Sequence, residues 1–463
     1  MALKLYNSLT HKKEELKPIK NNEIKMYSCG PTVYNYIHLG NLRAFMFSDI
    51  LRRYIKYKGF KLKHVMNITD VDDKTIRDSQ KEKKSLKEFT EFYTEAFLKD
   101  LKTLKIEIPE YMPKATETIP EMVELIKLLK EKGFTYENKG DIYFSINKFE
   151  DYGKMVNLDV NNLKENVHSR LNNADEYGKE NARDFALWKA YDKNDGDVFW
   201  DTEIGKGRPG WHIECSAMSK KFLGQPFDIH TGGVDLTFPH HTNEIAQSEA
   251  AYDKKFCNYF IHNEHLMVNS EKMSKSLGNF YTLRDLLDKG YDAIAIRYQL
   301  LATNYRQQLN FTEDALKQIP STLQKFYDFL DKLEEVNGKG KDVSKLIDEA
   351  DKKFEKNMDD DLNISGALAA VFEFMNSINK IMDELSKKDA SAIVKIMNKF
   401  DTVLGVMAHK KIDIPKVIIE LADKRLEAKK NKDWTESDRL RDEITKKGFV
   451  IEDKKEGYRL KPN

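Results

Sequence analysis

The chain has almost no net charge, few cysteines, and no apolar run long enough to cross a membrane. Its 463 residues carry 77 basic against 76 acidic side chains, a formal charge of +1. So even and interspersed a balance does not advertise a nucleic-acid partner, although a local patch can still serve one. Three cysteines, at 29, 215 and 257, argue against a disulfide framework and for a reducing compartment. The opening "MALKLYNSLTHKKEE" lacks the apolar core of a signal peptide, so a cytoplasmic location without membrane attachment is expected. No internal repeat is evident. What is present is a 40% hydrophobic fraction, enough for real cores, over a length that suggests about two to four domains.

The first segment reads strand, turn, helix, strand. "EIKMYSCG" (23–30) is a strand candidate ending at glycine. Apolar residues then recur at helical spacing from about Leu42 to Tyr57, with Gly59 as a stop, and "FKLKHVMNITD" (60–70) is the next strand. A βαβ unit of this kind implies a parallel, nucleotide-type sheet with ligands at the carboxyl ends of its strands. Helices follow to about residue 133, then a poorly periodic stretch, 134–210, with short strand candidates such as "DIYFSI" and loops rich in Asn, Asp and Gly, that reads as an insertion. "PFDIHTGG" (226–233) and "NYFIHNEHLMV" (258–268) bring the sheet back. From about 312 the pattern is helical, with "VNGKGKDV" (336–343) as a flexible joint. Helices near 344–357, 364–385 and 389–406 look like a bundle. After Pro415 come a helix to about 431, another at 434–447 closed by Gly448, and two short strands, "FVIED" and "GYRLK".

The expected fold is therefore α/β: a Rossmann-type parallel-sheet domain split by an insertion, then a helical bundle and a small α+β C-terminal domain. The expected divisions are 1–120 and 211–268 for the two halves of the sheet domain, with 121–210 inserted between them. A loop and connecting region follows at 269–320, the bundle at 321–412 and the last domain at 413–463.

Three patterns carry chemistry. In "FPHHTNEIAQSEAAY" (238–252) a helix starting near Pro239 sets His240 and Glu244 one turn apart on one face, as metal ligands can be. An exposed polar first turn is the plainer reading of that spacing alone. In "YNYIHLGNLRAF" His38 and Asn41 flank Gly40 where a helix follows the first strand. Free N–H groups and the positive dipole end suit phosphate there, and glycine lets a ligand approach the backbone. A plain N-cap accounts for the same residues. In "EKMSKSLGNF" (271–280) Lys272 and Lys275 bracket a methionine and small hydroxyl residues. Two ammonium groups on a loop suit charge that develops during phosphoryl transfer; a surface lysine loop is the alternative, but the K-M-S-K-S string is a highly specific signature.

The H-x-G motif paired with K-M-S-K-S resembles the class I aminoacyl-tRNA synthetases. Within that class, "YSCGPTVYNYIHLGN", "NITDVDDK", "RPGWHIECSAMS", "FDIHTGGVDLTFPHHTNEIAQSEA", "MDDDLNISGAL" and the tail "KDWTESDRLRDEITKKGFVIED" together look like the cysteinyl-tRNA synthetase family over nearly the whole chain. One departure is that the first motif ends in Asn41 where the family commonly has histidine; asparagine can still donate to a phosphate or ribose oxygen.

The resemblance implies ATP-dependent activation of L-cysteine and its transfer to tRNA(Cys) by a monomer whose last domain binds the anticodon. It also implies one zinc ion held by Cys29, Cys215, His240 and Glu244, and Mg²⁺ with the ATP. His38, Asn41, Lys272 and Lys275 would be catalytic, with His38, Gly40, Asn41, Gly232, Asp235 and Lys275 binding ATP. Thr69, Trp211 and His230 would contact the substrate, and Trp434 and Asp438 the tRNA. Each also has an ordinary structural explanation: Trp211 and Trp434 as packing residues, Thr69 as a strand end, His230 as a satisfied buried histidine. Cys257 reads as a packed core cysteine. His241 is set aside as a ligand because it points about 100° around a regular helix from His240.

Such zinc has a physical rationale. Packing separates cysteine from serine by only about 1–3 kcal/mol, whereas a soft thiolate binds zinc far better than a hydroxyl. Three rivals stand beside this expectation. A ligase that joins cysteine to a small amino-sugar would share the catalytic half but not the tail. A non-catalytic tRNA-binding paralogue would have lost its lysines or metal ligands. A metallohydrolase would show H-E-x-x-H, which is absent.

Overall fold

The computed structural model describes residues 2–157, 184–274, 277–407, 414–453 and 457–462. The chain divides into two compact units, residues 1–407 and 408–463.

At the centre of the first unit is a four-stranded sheet made from two distant pieces of sequence. The first piece supplies β1 (Glu23–Ser28), α1 (Leu39–Tyr57) and β2 (Lys61–Met66). The second supplies α2 (Trp211–Leu223), β3 (Phe227–Gly233), α3 (Thr242–Tyr252) and β4 (Cys257–Asn263). The strands lie in the order β4-β3-β1-β2, all parallel. The chain thus winds outward in opposite directions from the β1–β3 pair, and the crevice at their carboxyl ends is where such sheets bind ligands. Strand alternation feeds two cores. Ile24 and Met26 join the apolar cluster that runs through α1 into the helical bundle, while Tyr27 joins the cluster on the opposite face.

The described part of the insertion holds more regular structure than its sequence texture suggests. After a helix at Ile119–Glu131, a five-stranded antiparallel sheet runs in spatial order Thr135–Asn138, Asp141–Phe144, Phe185–Ala190, Gly205–Pro209, Trp200–Thr202. Phe144, Phe185 and Trp188 pack it into the core shared with α2. Strands of three to six residues leave little periodicity to read.

Residues 258–268 bring strand structure back, as expected, but in two separate strands. β4 ends at Asn263, and Leu266–Val268 pairs with Glu271–Lys272 and Leu309–Phe311 in a separate sheet. The break coincides with Glu264, whose N–H donates to Tyr305 O at 2.7 Å.

The bundle comprises α4 (Glu313–Glu335), α5 (Ser344–Asp359), α6 (Ile364–Asn379) and α7 (Lys387–Leu404). α4 continues through Pro320, so a division at 320/321 falls inside a helix whose buried Leu316, Ile319 and Leu323 span it. The expected flexible joint at 336–343 is tied down: Gly338 N donates to Leu385 O at 2.8 Å and Gly340 N to Glu384 O at 3.0 Å.

In the second unit α8 (Lys416–Lys430) and α9 (Trp434–Lys446) pack on an antiparallel hairpin of β5 (Phe449–Asp453) and β6 (Tyr458–Pro462). Ile418, Leu421, Leu440, Ile444 and Ile451 form its core. No helix among the described residues is long and apolar enough to cross a membrane.

Candidate active site at the split of the sheet

Four chain segments meet at the carboxyl end of β1. Cys29 follows β1 directly, and its N–H donates to Thr231 O of β3 at 3.1 Å. Cys215 lies in the second turn of α2; His240 and Glu244 come from the turn before α3 and from its first turn. One donor atom from each of the four lies within 4.8 Å of every other. Cys215 Sγ is 3.6 Å from His240 Nε2, and Cys29 Sγ is 3.9 Å from Glu244 Oε1. His240 Nε2 and Glu244 Oε1 are 2.9 Å apart. A tetrahedral zinc with bonds of about 2.0–2.3 Å needs donors about 3.3–3.8 Å apart. Two thiols, an imidazole and a carboxylate at nearly that spacing fit the ion in both number and kind.

The charges in this pocket are arranged as a cation site requires. Burial would raise the Glu244 carboxyl, but His230 and His240 outweigh it and hold the group at about 2. Burial would lower His240, yet Glu244 and the Cys215 sulfur raise it to about 10. The Cys215 thiol, opposed by burial, is drawn down to about 6 by hydrogen bonds with Cys29 and His240, whereas burial pushes Cys29 well up. A metal ion held by these four donors would balance the buried anionic groups.

Around the donors stands a shell of histidines. Glu244 Oε2 accepts from His230 Nε2 at 2.7 Å. His240 Nδ1 faces His212 Nδ1 at 2.9 Å, which turns its Nε2 to the thiols. Trp211 stacks on the His240 ring at 4.2 Å. His241, set aside on helical spacing, is brought in as well: its Nε2 is 3.2 Å from Cys29 Sγ and its Nδ1 is 2.8 Å from His262 Nε2. The spacing argument assumed a regular helix from Pro239. Instead Thr237–His241 is a wide turn containing an extended residue, Phe238, and the regular helix begins at Thr242. Cys29, His230, His241 and Glu244 consequently form a second, overlapping four-donor group. Thr69 is buried and donates to Glu214 Oε2 at 2.7 Å. Burial pushes the Glu214 carboxyl up despite that hydrogen bond. Sequence reasoning passed over His212, His262 and Glu214; the first and last sit inside "WHIEC" beside residues it did single out. Cys257 lies buried in β4, its thiol 3.4 Å from Asp228 O and Tyr259 O.

The phosphate-type groups lie nearer solvent. His38 is the N-cap of α1 and forms a reciprocal box with Asn41: Asn41 N donates to His38 Nδ1 at 3.3 Å, and His38 N to Asn41 Oδ1 at 3.4 Å. The asparagine thus keeps its Nδ2 amide as a donor. A Cβ on Gly40 would stand 2.9 Å from the His38 ring and 3.4 Å from Met273 Cε, so a larger residue would displace the His38 imidazole. Past the K-M-S-K-S string, Leu39 N donates to Tyr281 O at 2.9 Å and Phe280 meets the His38 ring edge-on at 5.3 Å. Lys272 is exposed on its short strand; Lys275 lies outside the described residues. Gly232 is buried at the end of β3, and Asp235 is exposed just beyond. In the second unit Trp434 is 58% exposed at the start of α9, which leaves its ring free to meet a partner, and Asp438 is 3.5 Å from Arg441. Lys429 and Arg425 are both paired with Asp453.

Comparisons with known proteins cover the chain end to end. The family model described as tRNA synthetases class I (C) catalytic domain matches residues 15–321. The DALR domain matches 353–408, and the cysteinyl-tRNA ligase anticodon binding domain 413–459. The chain is 49% identical to the cysteine–tRNA ligase of Protochlamydia amoebophila, over 100% of this chain and 98% of that one. It is 48% identical to that of Brachyspira hyodysenteriae, over 98% of each. Among solved structures, Mycobacterium tuberculosis methionyl-tRNA synthetase with methionyl-adenylate has a TM-score of 0.60 at 14% identity, covering 83% of this chain and 88% of that one. Agrobacterium radiobacter leucyl-tRNA synthetase reaches 0.62 at 10% identity, covering 85% of each. At such identities these two speak for the fold alone.

Proposed function

The chain belongs to the cysteine–tRNA ligase family of class I aminoacyl-tRNA synthetases, and from this premise we propose how its residues divide the work. It is an ATP-dependent ligase of cysteine and tRNA. We take it to act in the cytoplasm as a monomer. The carboxylate of bound cysteine attacks the α-phosphorus of ATP, pyrophosphate leaves, and the terminal ribose hydroxyl of tRNA(Cys) then takes the aminoacyl group from the adenylate, releasing AMP. No protein nucleophile is needed. Holding the reactants in line replaces one, since effective molarities reach about 10⁵–10⁸ M.

The observation that carries the proposal is the convergence of Cys29, Cys215, His240 and Glu244 at the crevice of a split parallel sheet. These four would hold zinc, with His241 close behind Cys29. When bound, zinc supplies a soft cationic point that favours a thiolate over the hydroxyl of serine. Trp211, stacked on His240, would wall the amino-acid pocket, while His230 orients Glu244 and Thr69 meets the substrate. On the other side His38, Gly40, Asn41, Gly232 and Asp235 would bind ATP, whose Mg²⁺ arrives with it as part of the substrate. Lys272 and Lys275 join His38 and Asn41 in stabilising the charge that develops on the phosphates. Trp434 offers a stacking face for an unpaired anticodon base, worth roughly 1–3 kcal/mol, with Asp438 one turn on to accept from a base edge. The match of 413–459 to an anticodon-binding model speaks for tRNA over an amino-sugar as acceptor.

Cysteine-dependent ATP–pyrophosphate exchange on the pure protein, repeated with serine and with Cys215→Ser, tests this. We expect exchange with cysteine alone, and in the variant its loss together with loss of bound zinc. Exchange that persists in a zinc-free Cys215→Ser protein would remove the metal from the mechanism.

A further inference from the structure

The lead-in to α1 is braced by a side chain that has no part in the division of work above. Residues 33–37 form no regular secondary structure, and alongside them and the start of α1 runs the segment that follows the K-M-S-K-S string. Phe280 meets the His38 ring edge-on at 5.3 Å, Leu39 N donates to Tyr281 O at 2.9 Å, and Thr282 pairs with His38 as an isolated antiparallel bridge. Thr282 is also the N-cap of the short helix Leu283–Asp288. The second residue of that helix, Arg284, extends the line of contacts: its guanidinium carbon lies 4.1 Å from the centre of the Tyr36 ring.

Arg284 also reaches a third element. Its Nη1 donates to Asp100 Oδ2 at 2.9 Å and its Nη2 to Ala96 O at 3.1 Å, both on the helix Leu86–Thr103. Asp100 is 3% exposed, and a carboxylate so placed is costly unless its charge is paired. Tyr93 of the same helix meets Tyr36 edge-on at 5.4 Å, and Phe97 packs on Phe45 of α1 at 5.0 Å. The helix Leu86–Thr103 is therefore a frame already fixed to α1. One planar guanidinium binds a carboxylate, a carbonyl and an aromatic face of that assembly at once, which a lysine ammonium cannot reproduce.

His38 is thus held from two directions. Its link to α1 is covalent; its link to residues 280–282 is not, and the register of that second link depends on what anchors the segment. We infer that Arg284 is a positioning residue: it fixes the 280–284 segment and Tyr36 against the helix Leu86–Thr103 and so sets where His38 presents its imidazole. This rests on the proposed role of His38 and adds the residue that places it. A displacement of about 1 Å at a reacting group can cost on the order of 10²-fold in rate.

A double-mutant cycle with His38 separates this role from general support. The kcat and the KM for cysteine come from pyrophosphate exchange, and zinc per chain from metal analysis. In Arg284→Met we expect kcat to fall about tenfold or more, with the KM for cysteine and the zinc content within about twofold. Placed in the His38→Asn protein, Arg284→Met should lower kcat by less than about twofold further, because the group it positions is gone. An unmoved kcat in Arg284→Met overturns the inference. So does an equal fall in both backgrounds, and so does a rise in the KM for cysteine together with loss of zinc. Should Arg284→Met fail to fold, Arg284→Lys enters the same cycle. It keeps a cation beside Asp100 without the planar fork, and we expect a fall of about threefold or more that is again lost in the His38→Asn protein. Absence of cysteine-dependent exchange in the unaltered protein fells the function and the inference together, whereas normal exchange with kcat unmoved in the variant fells the inference alone.

Discussion

The two sides of the crevice are built on opposite plans. On the amino-acid side Cys215, His240, Glu244 and His230 are buried, and His212 of α2 and His230 of β3 hold His240 and Glu244 in place. On the phosphate side Asn41, Asp235 and Lys272 are exposed, His38 and Gly40 are half-buried, and the geometry rests on the His38–Asn41 capping box and on contacts with the loop at Phe280 and Tyr281. The difference matches what each side would have to do under the proposed division of work. Telling a thiol from a hydroxyl needs donors fixed before the ligand arrives. Stabilising charge on a departing pyrophosphate needs groups that admit ATP, follow it and release it.

The largest effect should come from breaking the phosphate side alone. His38→Asn keeps an N-cap acceptor on α1 but removes the imidazole. We expect kcat for pyrophosphate exchange to fall on the order of 10²–10³-fold, with the KM for cysteine and the zinc content unchanged. A matching rise in the KM for cysteine would mean that the two sides are not separable.

The same contrast decides how much was legible in sequence. The phosphate side is local: His38, Gly40 and Asn41 lie within four residues, so a cap and a close approach can be read from the string, and α1 begins where they put it. The amino-acid side is assembled from places about 200 residues apart. Helical spacing joins His240 to Glu244, but nothing in the residues themselves brings Cys29 to Cys215; only the family resemblance does. His241 was set aside because a regular helix was assumed at Pro239, and Phe238 breaks that assumption with an extended backbone (φ −140°, ψ 132°). In the insertion short strand candidates such as "DIYFSI" were legible, and Asp141–Phe144 is a strand, but the sheet was not, because strands as short as Trp200–Thr202 take their register from partners elsewhere in the chain. α9 was plain because Gly448, at φ +84°, stops it.

A smaller effect sharpens the comparison from the other side. His212 touches neither thiol; it fixes His240 through the 2.9 Å contact between their Nδ1 atoms. Its removal in His212→Ala should weaken zinc about 10–100-fold, the usual cost of losing a ligand's supporting partner. Competition with a chelator measures that loss. At saturating zinc, kcat should return to within about twofold, the reverse of the His38→Asn pattern.

The smallest effect concerns what holds the phosphate side in place. α1 carries His38 and Asn41 at its start and Arg52 near its end, where Arg52 Nε donates to Glu107 Oε2 at 2.8 Å and both Nη atoms donate to Glu110. Burial would raise the Glu107 carboxyl, but Lys56, Arg52 and Arg53 hold it at about 2, below its ordinary 4.5. A carboxyl held down in the folded protein adds stability that is fully present above about pH 4.5 and is lost as the pH falls toward 2. Its side chain is 32% exposed, so solvent screening leaves about 1 kcal/mol of that at neutral pH. Glu107→Gln should therefore melt about 1–2 °C below the unaltered protein near pH 7. The gap should narrow steadily through acid pH, because protonation removes from the unaltered protein the charge the variant already lacks. Thermal melts across that range check this, and a gap that widens in acid would mean that Glu107 does not anchor α1 through its charge.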